Sequence, residues 1–97
     1  MKYSKLLGVL FMKLFLRVVI DNTVYCYSVL NGVSYNCIHF PNHFVIYLYK
    51  HHNHLYSYKA FFYNSLRISF GECNSKIKLY NSIQFLLKEE LYDVMQF

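Results

Sequence analysis

The chain has 97 residues, a net charge of +5 and 21% aromatic side chains, 11 Tyr and 9 Phe. That length allows one domain, residues 1–97, around one small core. With 15% of residues charged, the chain is too lightly charged for a dedicated nucleic-acid binder, and its 56% hydrophobic content exceeds what a small core hides, so the surplus must meet a partner or a membrane.

Residues 1–12 read as an N-terminal extension, with a short helix over 2–12 weakened by Gly8. The stretch starts like a signal or anchor, but its longest uncharged run, Leu6 to Met12, is seven residues. A helix needs roughly 20 to cross a bilayer. Lys13 and Arg17 interrupt the apolar sequence and no small-residue cleavage site follows. Charged or strongly polar residues recur throughout the remainder, so no transmembrane helix is expected.

Residues 13–80 read as a β-rich core. Turn residues fall at short intervals, at Asp21-Asn22, Asn31-Gly32, Pro41-Asn42, 51–53, Asn64-Ser65, Gly71-Glu72 and Asn74-Ser75. Between them lie runs rich in Val, Ile, Tyr, Phe and Thr, which suit pleated surfaces. Strands are expected over 14–20, 24–30, 33–40, 44–50, 55–63, 66–70 and 76–80. Asn31-Gly32 is the strongest turn signal, because both residues tolerate the positive φ of a two-residue hairpin. The run 44–50 is apolar on both faces, as in a strand covered on both sides. In contrast, Lys76-Ile77-Lys78-Leu79 alternates lysine and aliphatic.

The tail, 82–95, reads as a C-terminal α-helix. Ser82 is the expected cap, and Ile83, Leu87, Leu91 and Val94 form one apolar stripe. The fold class implied is mainly β, a small antiparallel β-barrel or strongly curved sheet with a C-terminal α-helix.

The chain offers little to catalysis. Its five acids are Asp21, Glu72, Glu89, Glu90 and Asp93, three of them on the expected helix, and no spacing proposes an acid–base pair. Three scattered glycines cannot build a phosphate loop. His51, His52 and His54 sit in one turn, joined in the sequence by His39 and His43. Neighbouring turn histidines rarely converge on a metal, so they read as a polar hairpin tip. Cys26, Cys37 and Cys73 are widely spaced and odd in number, and read as buried thiols in a reducing compartment. No enzyme activity, metal or cofactor is expected.

Basic residues interleaved with aromatics carry more information. Lys50, Lys59, Arg67, Lys76 and Lys78 are the candidate RNA-binding residues, since cations neutralise phosphate. Tyr47, Tyr49, Tyr56 and Tyr58 are the candidate partner-binding residues, because tyrosine covers area on a neighbouring protein or stacks on a base. Residues with AT-rich codons (Phe, Tyr, Met, Ile, Asn, Lys) number 45, against 7 for Gly, Ala, Arg and Pro. That bias points to an organelle genome, an AT-rich virus or an endosymbiont, and Tyr in excess of Lys favours mitochondrial DNA.

The order of short motifs resembles the large-subunit ribosomal protein fourteen family, a small five-stranded barrel. Val18-Val19-Ile20-Asp21-Asn22-Thr23, then Cys26 and Val29-Leu30-Asn31-Gly32, are similar to the family's opening unit. Lys59-Ala60-Phe61-Phe62-Tyr63 is similar to the start of a later strand. Cys73-Asn74-Ser75-Lys76-Ile77-Lys78-Leu79 and Ser82-Ile83-Gln84-Phe85-Leu86-Leu87 are similar to its closing turn and strands, colinear from about Val18 to Leu87. The resemblance implies a non-catalytic subunit of the mitochondrial ribosome, in the matrix, with ribosomal RNA and adjacent ribosomal proteins as partners. It also implies a strand over Ile83–Leu87, where periodicity implies helix. The composition leaves two other readings open: an organelle-encoded accessory subunit of a respiratory-chain complex, and a small viral inhibitor protein.

Overall fold

Strand β1 (Phe15–Ile20) alternates as a half-buried strand must: Leu16, Val18 and Ile20 are buried and the residues between them are partly open. The computed structural model describes residues 14–95, so the helix expected over 2–12 lies outside the described residues. After β1, Asp21 and Asn22 reverse the chain with φ of 51° and 63°. Two successive positive φ values define the type I′ turn, whose twist matches that of paired strands. Strand β2 (Thr23–Ser28) returns antiparallel, with Ile20 opposite Thr23.

Asn31-Gly32 makes no hairpin, contrary to expectation. The chain leaves β2, buries Val29 and Leu30, and crosses to a second sheet. Gly32 still uses its freedom there, at φ 78°. A turn dipeptide fixes local φ but not which strand comes next to which, and here burial of Val29 and Leu30 decides.

The second sheet is a four-stranded antiparallel meander: β3 (Tyr35–Phe40), β4 (Phe44–Lys50), β5 (Tyr56–Phe62) and β6 (Arg67–Cys73), in that order. Its three hairpins turn through Asn42, through Asn53 and His54, and through Leu66, all at positive φ. Asn tolerates this region, whereas leucine there is uncommon. The histidines of 51–54 form the β4–β5 hairpin loop.

The expected strand at 76–80 is helix. Helix α1 (Lys76–Glu89) is capped by Ser75, whose side chain accepts a hydrogen bond from the Lys78 amide at 3.1 Å. Ser82, the expected cap, lies inside the helix and donates to the Lys78 carbonyl at 2.9 Å. Leu79, Ile83, Leu86 and Leu87 form the buried stripe at helical spacing. The alternation of Lys76 to Leu79 is too short to distinguish a strand from one turn of helix.

The helix also ends earlier than expected. Leu91 takes φ 66°, its amide bonds the Lys88 carbonyl, and the Tyr92 amide bonds the Leu87 carbonyl. This paired closure usually has glycine at the left-handed position. The chain then enters β7 (Asp93–Met95), which pairs antiparallel with β1 and completes a three-stranded sheet, β2-β1-β7. The chain is therefore mainly β, with two antiparallel sheets and one C-terminal helix among the described residues.

One core lies between the sheets and the helix. Leu16 and Val18 of β1, Ile38 of β3, Phe44, Ile46 and Leu48 of β4, Ala60 and Phe62 of β5, and the helical stripe share it. Each such large side chain contributes roughly 1.5–3 kcal/mol by leaving water. Phe44 is the hub, with the rings of Tyr92, Phe62 and Tyr27 at 5.2, 6.2 and 6.2 Å.

Candidate functional site

Register assigns every side chain of the four-stranded sheet to one of two faces. Toward the core go Ile38, Phe44, Ile46, Leu48, Tyr56, Ala60 and Phe62. The other face presents three cross-strand rows. Tyr35, Tyr49, Ser57 and Glu72 form the first; Cys37, Tyr47, Lys59 and Phe70 the second; His39, Val45, Phe61 and Ile68 the third. Tyr35, Tyr49, Ile68 and Phe70 are exposed, Phe70 to 74%.

These aromatics touch one another. The rings of Tyr35 and Tyr49 lie 5.3 Å apart, and Tyr47 meets Tyr35 at 6.5 Å and Phe61 edge-on at 6.4 Å. Lys59, near the middle, lays its ammonium over the Phe61 ring at 5.3 Å, a cation–π contact that leaves the charge at the surface. An open groove of about 400 Å³ runs between Tyr49, Ser57, Lys59, Phe70 and Glu72. Within these rows Lys59 and Glu72 offset each other in formal charge, so the face is aromatic rather than basic.

The expected site residues divide accordingly. Tyr47 and Tyr49 lie on the open face. Tyr56 is a core residue with 9% exposure, because even-numbered positions of β5 point inward. Tyr58 also points inward, lying across Gly71 on the neighbouring strand. The tyrosines at 47, 49, 56 and 58 are thus split by strand period, two to each face.

The five candidate cations are dispersed. Lys59 is on the open face and Lys50 at the end of β4. Lys76 opens α1, and its pKa is pushed below the usual lysine range by burial and then by the charge of Lys50. Lys78 is exposed on the helix. Arg67 points to the far end of α1, where it pairs with Glu89 at 2.6 Å and Glu90 at 3.5 Å. Hydrogen bonding to Glu89 leads the forces that raise the Arg67 pKa. An arginine held by two carboxylates is a poor phosphate ligand, and its role is to tie β6 to the helix terminus.

Cys26 and Cys37 are exposed and Cys73 is half-buried, against the expectation of buried thiols. Both exposed cysteines occupy outward positions of their strands, a matter of register that composition does not carry. Among the described residues no group of three or more His, Cys, Asp and Glu converges as a metal site. Among them, too, no helix is long and apolar enough to cross a membrane.

One polar pair escaped sequence reasoning. His51 Nε2 and Ser57 Oγ lie 2.7 Å apart beside the groove, and the His51 ring stacks on Tyr49 at 6.2 Å. The pair is exposed. A nucleophile–base pair is activated when a third group orients the base, and the His51 ring contact is with an aromatic, which supplies no such charge. Its evident effect is to fix the hairpin loop against β5.

Among the described residues the fold and this surface define a two-sheet, mainly β structure displaying an aromatic sheet face. Comparisons with protein families, with curated proteins and with solved structures find no match to the chain.

Proposed function

We propose that this chain is a non-catalytic subunit of a larger assembly, held to a neighbouring protein through the open face of its four-stranded sheet. The observation that carries this reading is the face itself. Tyr35, Tyr47, Tyr49, Phe61 and Phe70 share it, with Ile68, around a single lysine and a single glutamate. Aromatic residues with few charges mark the centre of protein interfaces, where a few anchors supply most of the binding energy. A face contacting mainly RNA backbone would carry many cations, because affinity there comes from phosphate neutralisation.

The mitochondrial ribosome is the second reading, favoured by the net charge of +5 and by Lys50 and Lys76 lying close enough for one charge to perturb the other. In that setting the aromatic face would pack on an adjacent ribosomal protein while the cations near the 51–54 loop meet ribosomal RNA. Of what the resemblance implies, the strand over Ile83–Leu87 is not adopted, since these residues are helical.

Gradient sedimentation of the native protein from its source tests both readings. The expected result is migration with a large particle, released by replacing Tyr35 and Tyr49 with serine. Co-migration with ribosomal subunits that is lost after ribonuclease would select the ribosome. Migration with a detergent-extracted respiratory complex would select that assembly instead. A protein found only in the light fractions would reject the assembly reading.

A further inference from the structure

The two edges of the four-stranded sheet differ. At β3, the side chain of Asn36 accepts a hydrogen bond from the Cys37 amide at 2.9 Å and donates to the Ser28 carbonyl at the end of β2. One edge donor is thereby occupied from within the chain, and the edge is tied to the other sheet. At β6, among the described residues, no strand lies beyond Arg67–Cys73. Alternate residues of an edge strand aim their N–H and C=O groups away from the sheet, a template for another strand. The middle of β6, Ile68-Ser69-Phe70-Gly71, has no charge and no proline to discourage pairing.

We propose that the free edge of β6 pairs with the same strand of a second copy of this chain, antiparallel about a two-fold axis at Phe70, making one continuous eight-stranded sheet. The inference does not rest on the assembly reading above: it uses the edge of the sheet, takes up Phe70 and Ile68 there, and leaves Tyr35, Tyr47, Tyr49 and Phe61 open to another protein.

The sequence of β6 is self-complementary in this register. Phe70 meets its copy on the axis, Ile68 faces Glu72, Ser69 faces Gly71, and Arg67 faces Cys73. No like charges stand opposite each other, and direct opposition of like charges is what most disfavours a strand pair. The axis falls on the 74%-exposed Phe70, so pairing covers one of the most exposed aromatics of the sheet with its own mate. Two-fold pairing of one patch with itself is also the commonest way soluble chains associate.

The inner side of the edge has room for the second strand. Two open troughs, about 690 and 440 Å³, separate β6 from α1 and meet at Asn81 and Ser82. The second copy would turn Ser69, Gly71 and Cys73 toward this space, small residues except for the Arg67 at its end. Phe85, 63% exposed, borders the trough beside Ser69, one residue from the proposed axis.

The test uses the full chain, first by sedimentation over a range of concentrations. Wild type is expected to reach twice the 11.7 kDa chain mass. Phe70→Lys, at an exposed position, should remain folded by circular dichroism and sediment as a monomer, because it opposes two ammonium groups on the axis. Register is then read by disulfide trapping in cells, with Cys26, Cys37 and Cys73 replaced by serine. Phe70→Cys should cross-link to its copy under mild oxidation. Ile68→Cys should not, since four residues at ~3.3 Å each separate it from its own mate. A wild-type monomer at every concentration would overturn the proposal and leave the edge to an extended segment of another protein. A dimer that survives Phe70→Lys, or one that traps at Ile68 and not at Phe70, would overturn it equally.

Discussion

Phe44 and Phe70 belong to the same sheet, yet Phe44 has no solvent exposure and Phe70 has 74%. The inner face shares one core with β1 and β7 of the other sheet and with α1, and the Tyr92 ring lies against both Phe44 and Phe62. On the outer face the aromatics meet one another, Lys59 and the ring of His51 in the neighbouring loop. Both faces carry aromatic residues, so aromatic character alone does not distinguish a stabilising position from an interacting one. Contact with the remainder of the chain does.

That contrast is most strongly tested by Phe44→Ala, which empties the hub of the core and should cost about 3–5 kcal/mol. Against a total stability of roughly 5–15 kcal/mol, denaturant unfolding would show a large drop in midpoint or a chain no longer folded. A small loss would mean that the core does not close over Phe44.

Gly71→Ala probes the inner side of β6. A Cβ there would stand 2.7 Å from the Tyr58 hydroxyl and 2.9 Å from its ring, so the phenol must swing away. The expected cost is about 1–3 kcal/mol, typical of overpacking, and the double change with Tyr58→Ala should recover most of it. No recovery would assign the loss to the strand backbone.

Tyr27→Phe has the opposite sign. Among the described residues the Tyr27 hydroxyl is buried without a hydrogen-bond partner, and burial, followed by the charge of Tyr25, raises its pKa. Removing an unsatisfied hydroxyl should stabilise by about 1 kcal/mol, read as a higher Tm. At the outer extreme, Phe70→Ser should change the stability of the monomer by no more than about 0.5 kcal/mol. Its effect belongs to association, so loss of folding in this variant would erase the distinction between the faces.

Much of the strand order is legible in the sequence, for a physical reason. From 14 to 70, β-branched and aromatic runs alternate with turn residues that accept positive φ. The turn expected at Gly71-Glu72 instead lies inside β6, because pairing with Tyr58 and Ser57 of β5 carries the strand on to Cys73. The run 44–50 reads as a strand covered on both sides, and within the chain only its inner face and Val45 are buried, while Tyr47 is partly open and Tyr49 exposed. The C-terminal third is less legible because its cues compete. Lys76 to Leu79 fits a two-residue period, and only its continuation through Ile83, Leu86 and Leu87 reveals the helix, with Ser75 as the cap that could have located it. Strand β7 has three residues and an apolar stripe that also fits a helix. It becomes a strand because β1 offers an edge.

The candidate site is legible in kind and not in membership. An aromatic surplus announces that some face of the chain is not core. Which tyrosines lie there follows from register: Tyr47 and Tyr49 go out, while Tyr56 and Tyr58 go in. A one-residue slip would exchange them, and sequence alone did not settle that choice for β5.

The sequence by itself determined that this chain is mainly β, with more aromatic surface than its core absorbs, because composition and turn spacing are local properties. Only the tertiary structure decided that Asn31-Gly32 crosses between sheets, that Arg67 is held by Glu89 and Glu90, and that one sheet edge is tied down while the other, among the described residues, has no strand beyond it. Those outcomes depend on which distant segments meet, and that is set by the packing of Phe44, Leu16 and the helical stripe into one core rather than by any residue's own preference.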